Sequence, residues 1–346
     1  MKNIFSILCI LVFSFQVNHI TAQGCVDDDP SSKDSLNANK PKVFGYIQPQ
    51  YDYTFNDAND NTFRFKRARI GVRGKIKGNF SYYFMLEASP FIGSSGDAYL
   101  MDAFVTYQHS NWVKASVGSF KQPFGLEVTT PCNSLTTIDR AIVSDQLVAP
   151  QRDFGLMLLG GNKYTKFNYA AALMNGRGLG VKDNNAKKDI IGRATYKIVN
   201  FLTIGGSFRY GYPSNDNDSR TTYGGDAVLA FNKLKIQVEY IYDEGDYNRA
   251  SGGGCGSTPV ELGKKRDGAY AMISYDINEK IQPVFKYEYF DPNIDVKKIG
   301  YQEMMTVGFN YFFNKKVRLQ LNYQAHIETH LNIDNDILLA QVQFKF

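Results

Sequence analysis

Long apolar runs are almost absent from the sequence. One lies near the N-terminus, from Ile4 to Phe15, and it follows a positive charge at Lys2. It is shorter than the ~20 apolar residues that a membrane-spanning helix needs, and no later stretch approaches that length. A positive start, a short apolar run and the small residues Thr21 and Ala22 are typical of an export signal. We therefore expect residues 1–22 to be a signal peptide, and the pattern argues against a helical membrane protein.

Cysteine is also scarce, with four residues in the chain. Cys25, Cys132 and Cys255 follow the expected signal, and an odd count in an exported protein argues against a disulfide framework. A Cys132–Cys255 bridge and free thiols are both compatible with the sequence. A second form of processing, with cleavage before Cys25 and a lipid on that residue, also stays open. Otherwise residues 23–42, which are polar and interrupted by prolines, are expected to form a flexible leader.

Histidine and tryptophan are rare, at four and one residues, whereas tyrosine and phenylalanine number 23 and 25. A hydrolase would need Ser or Asp beside a suitably placed His, and the neighbours His109 and Ser110 fall in a predicted tight turn. We expect no catalytic residues, no metal site and no cofactor. An exported chain that is rich in aromatics and glycine, yet polar on average, fits a transmembrane β-barrel. Such a barrel carries its apolar side chains on alternate residues.

Short turns and long polar loops alternate from Val43 to Phe346, which we take as one barrel domain (residues 43–346). Seven short turns are predicted at residues 77–79, 109–111, 160–163, 199–200, 231–233, 277–279 and 313–315, and eight longer loops lie between them. Tight turns at one end and long loops at the other are typical of outer-membrane barrels. The pattern predicts an all-β, antiparallel transmembrane barrel of about 16 strands with both termini at the periplasmic end.

The predicted strands have one apolar and one polar face. In the last strand, Leu338, Ala340, Val342 and Phe344 share one parity, and Gln341, Gln343 and Lys345 share the other. The apolar face suits lipid and the polar face suits a wet lumen. A large soluble β-sandwich would alternate too, but this many aromatic side chains would overfill its core. The barrel is the favoured interpretation.

The segment 63–77 concentrates positive charge on one parity. That parity carries Arg67, Arg69, Arg73, Lys75 and Lys77, and the other carries Ala68, Ile70, Val72 and Ile76. A cation on the lipid face costs about 2–4 kcal/mol at the midplane, so the charged parity is expected to face the lumen. Alternate residues lie about 7 Å apart, which predicts a ladder along which an anion can move stepwise. A second interpretation stays open, in which opposed basic and acidic residues only order water, with Glu239, Glu288 and Glu303 as the acids.

The third predicted outer loop, residues 125–151, is too apolar to lie in water. It contains Leu135, Ile138, Ile142, Val143, Leu147 and Val148. Folding into the lumen would bury this surface and narrow the channel. Lys121 and Arg140 would then lie at the constriction.

These motifs bear a resemblance to a known family. The runs FKRARIGVRG at 65–74 and GSFKQPFGLE at 118–127 resemble the basic second strand and the motif before the constricting loop of the phosphate-selective porins O and P. Asp139-Arg140 and RDFG at 152–155 also resemble the family, which more often has Glu before the first of these arginines. The resemblance implies a trimeric barrel, an inward-folded third loop and anion-binding roles for Arg67, Arg69, Arg73, Lys121, Arg140 and Arg152.

The later strands depart from the family pattern because fewer arginines lie on their polar faces. Arg193, Lys197, Arg209 and Arg318 are the candidates there, so we expect a general preference for anions rather than strict phosphate selectivity. The hypothesis is passive uptake of small anions, phosphate-like ones first, through an outer-membrane homotrimer surrounded by lipid. The alternatives are a general or saccharide-conducting porin, an enzymatic barrel and a closed-barrel adhesin. Nucleic acid is not an expected partner, since the basic clusters lie in predicted loops.

Overall fold

The computed structural model describes residues 40–92, 98–247, 262–296, 300–327 and 334–346. Within these residues, sixteen antiparallel strands form one closed barrel, in which each strand pairs with its neighbours in chain order and β1 pairs with β16. The strands are β1 (Lys42–Phe55), β2 (Asn61–Ile76), β3 (Phe80–Glu87), β4 (Tyr99–Gln108), β5 (Lys114–Lys121), β6 (Arg152–Gly160), β7 (Phe167–Met174), β8 (Asp189–Val199), β9 (Leu202–Gly211), β10 (Arg220–Phe231), β11 (Leu234–Gly245), β12 (Lys265–Tyr275), β13 (Ile281–Asp291), β14 (Gln302–Phe312), β15 (Val317–Ile327) and β16 (Asp336–Lys345).

The prediction of an all-β antiparallel barrel is confirmed, and so is the alternation of its connections. The short connections lie between β2 and β3 and between each later even–odd pair, where the sequence predicted them. Several need backbone conformations that Gly and Asn adopt at little cost, with φ of 89° at Gly78, 66° at Asn79 and 54° at Asn232. The predicted signal peptide, nearly all of the predicted leader, Cys25 and Cys255 lie outside the described residues.

The two faces of the wall follow the predicted parity. Ile70 is 46% exposed on the outer face, whereas its neighbour Arg69 is 3% exposed. At the C-terminal end, Phe344 and Phe346 are exposed and Gln343 is buried. Among the described residues, no helix is long and apolar enough to cross a membrane. The strands therefore place apolar side chains outside, as period-two alternation requires, and their inner face carries polar side chains on some strands and buried apolar ones on others.

The connection from β5 to β6, residues 122–151, has its own structure. It contains helix α1 (Leu126–Thr129), a 3₁₀ turn (Cys132–Ser134) and helix α2 (Ile142–Leu147). Several of its apolar side chains are buried in a cluster with residues of β5–β8 and β11–β13. We call this set the apolar cluster; it comprises Phe120, Phe124, Val128, Ala141, Val143, Leu147, Val148, Met157, Leu159, Ala170, Ala172, Met174, Ile191, Ile241, Tyr270, Met272, Val284 and Phe290.

A different surface lines strands β14–β16 and β1. Its buried side chains are mostly amides, and we call it the amide wall: Gln48, Gln50, Asn310, Gln320, Asn322, Gln341 and Gln343. Carbonyl groups of the β5–β6 segment accept hydrogen bonds from it, as in Asn310 Nδ2 to Thr136 O at 3.0 Å and Gln320 Nε2 to Thr136 O at 3.1 Å. The segment thus packs through side chains against the apolar cluster and through backbone groups against the amide wall.

Candidate functional site

The basic face of β2 points inward and is shaped by a bulge. Gln48 pairs with Arg67, but the next residue, Pro49, pairs with Phe65, so Lys66 is an extra residue on β2. Proline, which lacks an N–H to donate, is commonly found at such bulges. The bulge brings Lys66 to the same side as Arg67, and its Nζ lies 2.6 Å from Asp139 Oδ1 of the β5–β6 segment. Strict alternation had left Lys66 on the opposite face, so a sequence reading misses this contact.

Arg67 and Arg318 are joined through two glutamines of the amide wall. Arg67 Nη1 donates to Gln48 Oε1 at 2.8 Å, and Gln48 Nε2 donates to Gln343 Oε1 at 2.7 Å. Arg318 Nη2 donates to the same Gln343 oxygen at 3.1 Å. Arg318 also donates from Nη1 to Leu135 O at 2.9 Å. Within the described part of the chain, no carboxylate lies within ion-pair distance of Arg318.

Four of the other predicted ladder residues form buried ion pairs. The pairs are Arg69 with Glu87 at 2.6 Å, Arg152 with Asp102 at 2.9 Å, Arg193 with Asp226 at 2.9 Å and Arg209 with Asp189 at 2.9 Å. A carboxylate at this distance offsets most of the guanidinium field in the lumen. These arginines lie on the predicted face, and their role toward anions stays a prediction.

Arg73 and Lys75 continue the β2 face toward the short-turn end. Arg73 is half-buried with its guanidinium carbon 5.4 Å from the centre of the Phe44 ring, a cation–π contact. Lys75 is exposed. The positive parity of β2 therefore runs from the buried Arg67 to an exposed end, as the sequence predicts.

Lys121 and Arg140, the predicted constriction residues, are both buried and both donate to the β5–β6 segment. Lys121 Nζ donates to Val128 O at 2.8 Å and to Thr130 O at 3.2 Å. Arg140 Nη2 donates to Thr130 O at 2.9 Å and to the sulfur of Cys132 at 3.3 Å. These donors satisfy carbonyls at the end of α1 that have no partner within the helix.

The same segment contains two carboxyl groups whose pKa values move in opposite directions. Burial raises the pKa of Glu127 above its ordinary value, although Lys286 and Arg140 oppose the shift. Burial also acts against ionisation of Asp139, but Lys66, Arg67 and Lys286 together outweigh burial and lower the pKa of Asp139. An ionised Asp139 is therefore a lasting partner for Lys66, whereas Glu127 is costly to hold as an anion.

Arg220 and Arg266 are charged lumen residues that were missed in the sequence, whereas Glu288 was among the lumen acids that it predicts. Arg220 donates from Nε to Asp243 Oδ1 at 2.8 Å, and Arg266 shares that aspartate. Lys286 lies 2.8 Å from Glu288. The signal for Arg220 was present, since Arg220 and Asp226 share a parity and Tyr223 and Leu229 lie on the other. Among the described residues, no group of His, Cys, Asp and Glu could hold a metal ion.

Comparison with known proteins bears on this arrangement. The model of the family "Phosphate-selective porin O and P" matches residues 44–242 and 212–346. The chain belongs to this family. The resemblance seen in the basic second strand and the loop motif is therefore confirmed, and this porin is a barrel of the bacterial outer membrane. Family and fold together indicate a channel.

Individual relatives agree on the fold. Porin O of Pseudomonas aeruginosa is 26% identical over 249 residues, which are 67% of this chain and 55% of that protein, so the chain spans about half the length of this relative. OmpT of Vibrio cholerae, solved in a trimer form, superposes with a TM-score of 0.64 at 12% identity, covering 89% of this chain and 100% of that one. The anion-selective porin of Comamonas acidovorans gives 0.64 at 13% identity, covering 89% and 99%.

Proposed function

We propose that this porin lets small anions diffuse passively across the outer membrane and that oxyanions of the phosphate class are among its substrates. The observation that carries the proposal is the pair Arg67 and Arg318, joined through amides in a region where Arg318 has no carboxylate within ion-pair distance among the described residues. A guanidinium is charged at any physiological pH, and its planar set of donors matches the oxygens of phosphate.

The surroundings of Arg318 support this assignment. Its hydrogen bonds go to backbone carbonyls and to Gln343, which are neutral groups. Neutral acceptors satisfy donors but leave the positive charge in place, so the local field attracts anions. The ion-paired arginines contribute less because their aspartates and glutamate lie within hydrogen-bond distance. We therefore assign the strongest anion attraction to the Arg67–Arg318 region and weaker steps to Arg73 and Lys75.

We further propose that the β5–β6 segment is the inward-folded third loop and forms the constriction. Its contacts support this: it reaches Lys66 on β2, Glu239 on β11 and Asn322 on β15. A connection that hydrogen-bonds to strands on several sides of a closed barrel crosses the interior rather than extending from the rim. A homotrimer is also proposed, on the precedent of the related fold in its trimer form.

One observation favours a second candidate, a channel that guides saccharides. Phe44, Tyr83, Phe104 and Phe120 form a continuous row of rings across β1, β3, β4 and β5, with centroid separations of 5.0, 5.2 and 6.1 Å. Aromatic faces are suitable surfaces for the apolar faces of sugar rings. Swelling of liposomes containing the purified porin in isosmotic sugar solutions tests this candidate, which predicts faster entry of oligosaccharides than of other solutes of equal size.

Reversal potentials across planar bilayers test the main proposal. In a potassium chloride gradient, the wild-type channel should be anion-selective, and added phosphate should reduce the chloride current. Replacing Arg67 and Arg318 together by Gln should lower the anion-to-cation permeability ratio several-fold, because two guanidinium charges leave the lumen.

The matched control is Arg64→Gln, since Arg64 lies on the same strand β2 but is half-exposed and paired with Asp52. This change should leave the permeability ratio nearly unchanged. Cation preference in the wild-type channel, or an equal loss in the control and in the double variant, would contradict the assignment. The broader variant with Arg67, Arg69 and Arg73 all replaced by Gln tests the whole β2 ladder, and unchanged selectivity there would show that the ladder is structural.

A further inference from the structure

Both helices of the β5–β6 segment have charged side chains of the barrel at their ends, with carboxylates at the N-terminal ends and cations at the C-terminal ends. At the start of α1, Glu239 Oε1 accepts from the Leu126 N–H at 2.8 Å and Oε2 accepts from the Glu127 N–H at 3.2 Å. At the start of α2, Glu288 Oε2 accepts from the Ile142 N–H at 2.6 Å. The first N–H groups of a helix have no partner inside it and form its positive end, so carboxylates are the favoured side chains there.

The opposite ends of the helices carry cations. At the end of α1, Lys121 donates to the carbonyls of Val128 and Thr130, and Arg140 donates to the same Thr130 carbonyl. Beyond the end of α2, Arg209 Nη1 and Arg220 Nη1 both donate to Ala149 O, at 3.1 and 2.8 Å.

Arg220 and a tyrosine hold the last turn of α2 itself. Arg220 Nη2 donates to Leu147 O, and the Tyr247 hydroxyl donates to Gln146 O. The Tyr247 ring stacks on the same arginine, with 4.7 Å between the Arg220 guanidinium carbon and the ring centre. The last carbonyls of α2 are thus bound by Arg220 of β10 and by Tyr247 after β11, and the carbonyl of Ala149 just beyond the helix is bound from β9 and β10.

We infer that these charged residues are positioning residues that clamp the β5–β6 segment, and that Lys121, Arg140 and Arg209, which the sequence suggests as ladder members, act in this way. Their donors go to segment carbonyls, and Arg209 and Arg220 also have aspartate partners that offset their charge. Their contribution to the anion pathway is indirect: they hold the segment that narrows the lumen. The inference deepens the proposed channel function. Only the single-channel measurements in its test depend on that function, and the hydrogen-exchange measurements do not.

Arg209 and Arg193 provide a matched comparison. Both are buried arginines on adjacent strands, and each is paired with one aspartate. Arg209 donates to a carbonyl of the segment, whereas the hydrogen bonds of Arg193 go to Asp226 and Ser207. Replacing either by Gln removes the same charge from the lumen, but only the change at Arg209 removes a hydrogen bond to the segment.

The test measures amide hydrogen exchange and single-channel current in the full-length porin. In the double variant Arg209→Gln/Arg220→Gln, amides of residues 143–149 should exchange about tenfold faster or more, because hydrogen bonds from charged donors are lost. The open-channel current should fluctuate more than in Arg193→Gln, whereas the reversal potential should shift in the same direction in both variants, since each leaves an aspartate without its arginine. Arg193→Gln should leave exchange in residues 143–149 unchanged. A milder variant, Tyr247→Phe, removes a single hydrogen bond and should give a smaller change in the same direction if the double variant fails to fold.

Each outcome decides one question. Unchanged exchange at residues 143–149 in both the double variant and Tyr247→Phe would overturn the clamp. A loss of anion selectivity equal to that in Arg193→Gln, without faster exchange, would also overturn it and return Arg209 to the ladder. If exchange responds as expected but the wild-type protein shows no channel steps, the clamp stands and the proposed function fails.

Discussion

The apolar cluster and the amide wall hold the same segment in different ways. In the apolar cluster, side chains of residues 122–151 are buried against methionine, alanine and aliphatic residues of the barrel. At the amide wall, the barrel side chains reach backbone carbonyls instead. Apolar packing gains free energy in proportion to buried area and has little directionality, whereas hydrogen bonds from amides fix position at a small net gain. The comparison suggests that one region supplies stability to the segment and the other supplies its placement and a polar surface.

The largest expected effect comes from weakening the apolar cluster. Phe124 is fully buried and its ring lies against Gly224 of β10, where an added Cβ would be 3.2 Å from the ring. Phe124→Ala should lower the free energy of opening the segment by about 3–5 kcal/mol, the usual range for a buried phenylalanine. Hydrogen exchange of residues 122–151 measures it.

A control for this prediction is Phe63→Ala, since Phe63 is 83% exposed on the outer face. It removes the same atoms and should leave exchange in the segment unchanged. If Phe124→Ala has as little effect as the control, the segment does not depend on the apolar cluster and the comparison above fails.

A smaller effect is expected at the polar side, where Lys66 contacts Asp139. Lys66→Gln should lower the opening free energy of the segment by about 1–3 kcal/mol, as is usual for a hydrogen bond that involves a charged group. Arg64→Gln on the same strand breaks a pair with Asp52 in which the arginine is 47% exposed, so it should cost less than about 1 kcal/mol. Equal effects of the two changes would mean that Lys66 does not hold the segment.

The smallest effect is a dependence of segment stability on pH, to which Glu127 and Asp139 contribute with opposite sign. Glu127 has a raised pKa in the folded state, so its contribution to stability is largest below its unfolded pKa of about 4.3 and is lost as pH rises through the folded value. Asp139 has a lowered pKa, so its contribution is present above its unfolded pKa of about 3.9 and is lost as pH falls through the folded value.

Protection of the segment against hydrogen exchange should therefore rise as pH falls from neutrality toward about 4.3 and decline at lower pH. The rates are first corrected for the intrinsic pH dependence of exchange. Glu127→Gln should remove the rise, and Asp139→Asn should remove the decline. A wild-type profile without a maximum would show that these two carboxyl groups do not control the segment.

Much of the fold was accessible from the sequence because its signals are local. The alternation of apolar and polar residues, as in Ile70 with Arg69 and Phe344 with Gln343, indicates which side chains face lipid. The position of a turn such as Gly78-Asn79 depends on backbone conformations that few residues adopt readily. Strand number, the order of connections and the direction of the β2 charges followed from such features.

The candidate site was only partly accessible. The sequence predicted positive side chains on lumen faces, including Arg67, Arg193 and Arg318. No local pattern in the sequence indicates which residues these side chains contact. Lys66 was missed because the bulge at Gln48 and Pro49 changes the parity of β2. Arg209 was found, but not that it binds a carbonyl 60 residues earlier in the chain, at Ala149.

The sequence by itself determined the barrel, since a period of two and the chemistry of tight turns act between residues that are neighbours in the chain. Only the tertiary structure decided which positive charges are paired with a carboxylate. That outcome depends on contacts between distant residues, such as Lys66 with Asp139 and Arg209 with Asp189, which closure of the barrel and the course of the β5–β6 segment bring together. Electrostatic energy depends on separations of a few ångströms and on burial, and neither is encoded in the spacing of residues along a strand.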